Sequence, residues 1–127
     1  NFHIQADGMA HETTVLSLNP DRQALLSHES ALQKNGFEIV SVSSPLQARF
    51  EIEMGRHAVF IASYITPLVI FLDLASLFRR NCPGGLVAYV ARRPDENIPD
   101  TDILLSDRDD PDSIVEKLRK QSTNASG

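Results

Sequence analysis

His57–Pro67 reads HAVFIASYITP, and its reading decides the fold. An almost unbroken apolar run, Ala58-Val59-Phe60-Ile61-Ala62, turns small and polar at Ser63 and closes on Pro67. The run is too short to span a bilayer, is rich in β-branched and aromatic residues, and follows Gly55. That combination predicts a central parallel strand buried on both faces. Ligand chemistry in a parallel sheet lies just outside the carboxyl ends of its strands, which makes Ser63 the first residue to question.

Working outward, apolar runs of strand type alternate with helical patterns. Thr13–Leu18 (TTVLSL) is a strand stopped by Asn19-Pro20-Asp21, whose Asn or Asp suits a helix N-cap. Arg22–Asn35 carries Leu25, Leu26 and Leu32 among polar residues and ends at Gly36, as an amphipathic helix does. Phe37–Ser43 alternates as a second strand. Ser44-Pro45 opens a helix whose Leu46, Phe50 and Met54 form an expected apolar stripe. After the central strand, Leu68–Asn81 is a helix apolar more than halfway round, with Arg79-Arg80 in its last turn. Leu86–Ala91 is another buried strand. Arg92–Asp102 reads as a loop with at most one irregular helical turn, and Ile103–Leu105 as a short strand. Asp110-Pro111 starts a last helix with Ile114, Val115 and Leu118 inward. Such alternation implies one α/β domain, a parallel sheet with helices on both faces and right-handed crossovers. The expected domain covers residues 13–120. Residues 1–12 read as an upstream tail, with Met9 a candidate start, and 121–127 as a frayed tail.

Composition narrows the function classes. The 127 residues are 42% hydrophobic and 23% charged, with a net charge of −5. The acidic balance argues against nucleic acid as a partner, and no stretch approaches a membrane span. One cysteine, Cys82, excludes an internal disulfide and a multi-cysteine metal site. No apolar leader segment is visible, so the expected location is cytoplasmic.

At this point the chain resembles the response-regulator receiver domain, the CheY-like family, over about Thr14–Lys120. The resemblance rests on element order and local phrases. Gly36-Phe37-Glu38-Ile39-Val40 matches the Gly before strand two, and Ser63 lies four residues before Pro67, where the family places an Asp. Asp110-Pro111-Asp112-Ser113-Ile114 resembles the start of its last helix. The resemblance implies a flavodoxin-like three-layer sandwich, a five-stranded parallel sheet with helices on both faces and the fourth helix reduced.

The chemical positions depart from the family. Its acid pair falls at Asn19-Pro20, followed by Asp21; its acceptor Asp at Ser63; its strand-four hydroxyl at Val90; its strand-five Lys at Asp107. A serine hydroxyl needs a base to act as nucleophile, and Ser63 has none identifiable nearby in sequence. Magnesium needs hard carboxylate oxygens that Asn19, Pro20 and Ser63 do not carry. Val90 donates no hydrogen bond, and Asp107 repels phosphate. These positions point to a receiver without the usual phosphorylation chemistry, not an enzyme, with no catalytic residue, metal or cofactor. Its expected role is a bacterial phosphorelay module that docks a protein partner or a second copy. Tyr64, Leu68, Val69, Ile70 and Leu72, with Arg92 and Arg93, form the expected surface. The competing readings are a receiver that accepts phosphate on another residue such as Asp21, and a small-molecule site in the crevice near Ser63 and Asn19.

Four histidines, His3, His11, His28 and His57, show no tie to Ser63. The acids Asp95, Glu96, Asp100 and Asp102 lack the Ca²⁺-loop spacing and read as a solvated loop. Asp107, Asp109, Asp110 and Asp112 read as a charged strand end and helix start.

Overall fold

The computed structural model describes residues 14–93 and 97–126, with side chains to residue 121. Met9, His3, His11, Asp95, Glu96 and the expected tail at 1–12 lie outside the described residues. Five strands, β1 (Thr14–Leu18), β2 (Glu38–Val42), β3 (Val59–Ser63), β4 (Leu86–Ala91) and β5 (Ile103–Ser106), form one parallel sheet in the order β2-β1-β3-β4-β5. The helices are α1 (Arg22–Lys34), α2 (Pro45–Glu53), α3 (Leu68–Asn81) and α4 (Pro111–Ser126). This is the expected flavodoxin-like sandwich.

Alternation along the strands divides the core in two. Leu16, Leu18, Phe60, Ala62, Val87 and Tyr89 face α2 and α3. Val15, Val59, Ile61, Ala88, Val90, Ile103 and Leu105 share the other core with Leu32 of α1 and Ile114, Val115 and Leu118 of α4. Phe60 anchors the first core, stacked on Phe71 at 6.2 Å between ring centroids and tilted against Phe78 at 5.8 Å. Each fully buried phenylalanine contributes about 1.5–3 kcal/mol.

Four local expectations are corrected. Leu46, Phe50 and Met54 do not face the core: Ala48 and Ile52 do, and the expected stripe is exposed. The small Ala48 leaves that side of α2 free to lie close against the sheet, which turns the bulkier stripe outward. Leu26 of α1 is likewise exposed. Residues 121–126 continue α4 instead of fraying, because no Gly or Pro interrupts the chain before Gly127. Asp102 is exposed but not simply a solvated acid: its Oδ2 accepts from the Val87 N–H at 2.8 Å and from Arg79 Nη2 at 3.0 Å. Arg79 also donates to the Asp100 carbonyl at 2.8 Å, and Ile98 packs on the first core. Among the described residues no helix separates β4 from β5; this anchored loop stands where a fourth helix is reduced away. No helix among them is long and apolar enough to cross a membrane.

Two tests follow from these contacts. Gly36 (φ +89°) has open space around its missing Cβ, whereas at Gly55 (φ +68°) a Cβ would meet the Asn81 carbonyl oxygen at 2.9 Å. Gly36→Ala should cost about 1 kcal/mol from its left-handed backbone alone. Gly55→Ala should cost a further 1–3 kcal/mol or so, since backbone must move. Urea unfolding measures both, and equal losses would contradict the close approach of the α2 and α3 ends.

Asp109 provides the second test. Burial pushes its carboxyl upward, but the Lys117 ammonium and the Ser106 N–H, each donating to Oδ2 at 2.9 Å, outweigh that and hold it below the usual range. A depressed carboxyl stabilises the fold above its unfolded-state pKa and loses that contribution as pH falls through the folded value. The stability gap between wild type and Asp109→Asn should therefore shrink on acidification through the carboxylate range. A gap independent of pH would contradict the pairing.

Candidate functional site

The parallel register brings the singled-out residues to one crest, the carboxyl edge of the sheet. Ser63 pairs with Val90, and the Tyr64 N–H donates to the Val90 carbonyl at 3.0 Å. Ser17 pairs with Ile61, so two residues further on Asn19 stands beside Ser63. The Asp107 N–H donates to the Ala91 carbonyl at 3.0 Å, which sets Asp107 just past the end of β5. Asn19, Ser63 and Asp107 thus stand at the carboxyl ends of β1, β3 and β5, with Val90 one residue short of the end of β4.

The side-chain oxygens of Asn19 and Ser63 are engaged locally. Asn19 is 4% exposed; its N–H donates to Val42 O at 3.1 Å, and its Oδ1 accepts from the Asp21 N–H at 2.9 Å. Pro20, between them, is exposed and has no N–H to offer. Asp21 Oδ1 accepts from the N–H groups of Gln23 and Ala24 at 3.1 and 3.4 Å, which makes Asp21 the N-cap of α1. Ser63 is 2% exposed, and its Oγ accepts from the Ile65 N–H at 3.4 Å. Three residues on, Thr66 is buried and its hydroxyl has no hydrogen-bond partner. Val90 is buried in the α1–α4 core and Asp107 is exposed.

This donor set does not suit a hard divalent cation, which takes carboxylate and other free oxygens. Asn19 and Asp21 each have an oxygen turned to backbone amides, and Ser63 is buried and neutral. Among the described residues no three His, Cys, Asp or Glu side chains gather as a metal site.

The expected docking residues divide. Tyr64, Leu68 and Val69 are exposed; Ile70 and Leu72 are half-buried against the first core; Phe71 between them is fully buried. Arg92 and Arg93 are exposed just past β4, and each has a partner. Sequence reasoning placed Leu46 and Phe50 in the core, so it missed that they extend the exposed apolar surface. The signal was present in Ala48 and Ile52, which form the alternative i, i+4 pair on the other side of the helix.

His57 lies at the opposite end of β3 from Ser63 and serves the scaffold. Its ring is buried, with Nε2 2.9 Å from Glu51 Oε1 of α2 and Nδ1 unpartnered. Beside it, burial pushes the Cys82 thiol up, against the pull of the His57 backbone N–H. A cleft of about 950 Å³ opens at this end, lined by Thr14, Gly36, Phe37, Glu38 and Arg56 among others, away from the crest.

No family model matches the chain. No curated protein matches it either. Solved structures do. The chain is similar to a CheY-like receiver domain protein from Methanospirillum hungatei, with a TM-score of 0.77 and 15% identity over 90% of this chain and 96% of that one. It is similar to the chemotaxis response regulator CheY4 of Vibrio cholerae, with a TM-score of 0.76 and 13% identity over 85% and 97%. It is also similar to the response regulator TrrA from Thermotoga maritima in complex with Mg²⁺ and BeF, at 0.72 and 17% over 85% and 97%. Strand order, helix placement and these neighbours agree: the chain has the CheY-like fold of response-regulator receiver domains.

Proposed function

We propose that this domain is a protein-interaction module of bacterial phosphorelay signalling, working in the cytoplasm. It has the receiver scaffold but acts by docking, without taking a phosphoryl group itself and without catalysis. The observation that carries this reading is Ser63, buried at the carboxyl end of β3 with its Oγ accepting from the Ile65 N–H. A carboxylate at that place would be the natural acceptor in this fold. A neutral hydroxyl needs a base, and no hydrogen bond to a base is found at Ser63 among the described residues.

The surroundings support the same reading. Asn19, beside Ser63, is uncharged, Val90 has no polar atom, and Asp107 adds a negative charge where an incoming phosphate needs a positive one. The donor set does not fit magnesium, so no step is routed through a metal. The apolar surface at Tyr64, Leu68 and Val69 gives the docking role a physical basis.

Incubation with a small acyl-phosphate donor and Mg²⁺, followed by intact mass measurement, tests the proposal. The expected result is an unchanged mass. A stoichiometric phosphoryl adduct would overturn it, and peptide mapping of that adduct to Asp21 would establish an unconventional acceptor instead.

A further inference from the structure

The exposed apolar side chains of α2 and α3 form a continuous surface with a particular shape. Leu46 and Phe50 are 77% and 65% exposed and stand one turn apart on α2, as a ridge. A groove runs along each flank of that ridge. One is lined by Val40, Val42, Leu46 and Phe50, the other by Pro45, Leu46, Val69, Ile70 and Leu74. Val69, 73% exposed, borders the second groove from α3. Ridge and groove are therefore present on the same patch.

We infer that the occupant of this face is a second copy of the chain, docked α2–α3 against α2–α3 about a twofold axis. This rests on the interaction-module reading above. Three observations favour a copy over a foreign partner. First, a twofold interface requires one patch to be its own complement, and a Leu46–Phe50 ridge beside apolar grooves meets that condition by ridges-into-grooves packing.

Second, the charges are mixed in sign. Arg49 lies between the ridge residues in sequence and approaches Glu53 at 3.7 Å and Asp73 at 3.6 Å, with all three side chains about half or more exposed. A partner of one charge sign meets a like charge somewhere on this patch. A copy turned by a twofold axis can set Arg49 against acids in both directions. Exposed pairs of this kind contribute little in the monomer, and losing water between two copies strengthens them.

Third, the apolar area is large. Leu46, Phe50, Met54, Leu68 and Val69 together expose on the order of 500 Å² of side chain, at the upper end for a monomer's largest apolar patch. A standard interface takes roughly 800 Å² from each partner, so these side chains would form its apolar centre with polar neighbours as the rim.

Sedimentation equilibrium from micromolar to submillimolar protein tests the inference, with circular dichroism confirming that each variant is folded. The wild type should sediment at twice the chain mass. Leu46→Glu and Val69→Glu, both at strongly exposed positions, should each weaken association at least about tenfold. Leu104→Glu, on the edge strand β5, should leave it unchanged. A wild type that stays monomeric throughout, or a dimer that Leu46→Glu and Val69→Glu leave intact, would overturn the inference. Neither result bears on phosphoryl acceptance, which the mass measurement decides separately.

Discussion

The structure depends on β3 being enclosed in every direction. Its backbone is bonded to β1 on one side and β4 on the other, and its side chains enter the two cores alternately. A strand held this way has no freedom of register, because a slip of one residue would exchange the contents of the two cores. The end of the strand is thereby fixed in space, and Ser63 is what stands there. Tyr64 then bonds across to Val90 before the chain turns at Thr66 and Pro67 into α3. Position is set by hydrophobic packing; chemistry is set by whichever residue the sequence puts at that position.

At this crest the residues stabilise the turns they belong to. Asn19 closes a local turn, Asp21 caps α1 and Ser63 accepts from its own loop. Polar groups engaged by nearby amides hold a loop in place, while an ion or a phosphoryl group needs oxygens free to turn toward it. The same economy of structure is visible at the opposite end of β3. There His57 and Glu51 join strand to helix, and α2 closes against the sheet through Ala48 and Ile52. With Ala48 and Ile52 inside, Leu46 and Phe50 have nowhere to go but outward. The close seat of α2 on the sheet and the apolar outer face thus follow from one packing choice in α2.

Most of the fold was legible in the sequence. The apolar run at 58–62, the Gly and Pro punctuation and the alternation of element types specify a parallel sheet without further information. Of the crest residues, Ser63 was legible at the end of its apolar run, whereas Asn19, Val90 and Asp107 were reached only through the resemblance to receiver domains. Less was legible wherever a helix offers two candidate faces. In α2, Leu46-Phe50-Met54 outranks Ala48-Ile52 in hydrophobicity, but how closely the helix can lie on the sheet depends on side-chain size at contact. Long-range polar contacts were also invisible: nothing local ties Arg79 to Asp102 or Lys117 to Asp109. The end of α4 was missed because a polar sequence reads as a tail, although polarity alone does not stop a helix.

The central claim is that the crest of the sheet lacks the group of carboxylates that would hold a metal and a phosphoryl group: Asn19 and Ser63 are neutral and bonded to backbone amides, and Asp107 stands there as an exposed acid. The most direct test is a titration of isotope-labelled protein with Mg²⁺ and then beryllofluoride, following backbone amide signals by NMR. The account predicts that the amides of Asn19, Ser63, Tyr64 and Asp107 stay in place, apart from shifts that any salt produces. Saturable movement of those signals, with the same midpoint at β1, β3 and β5, would contradict it.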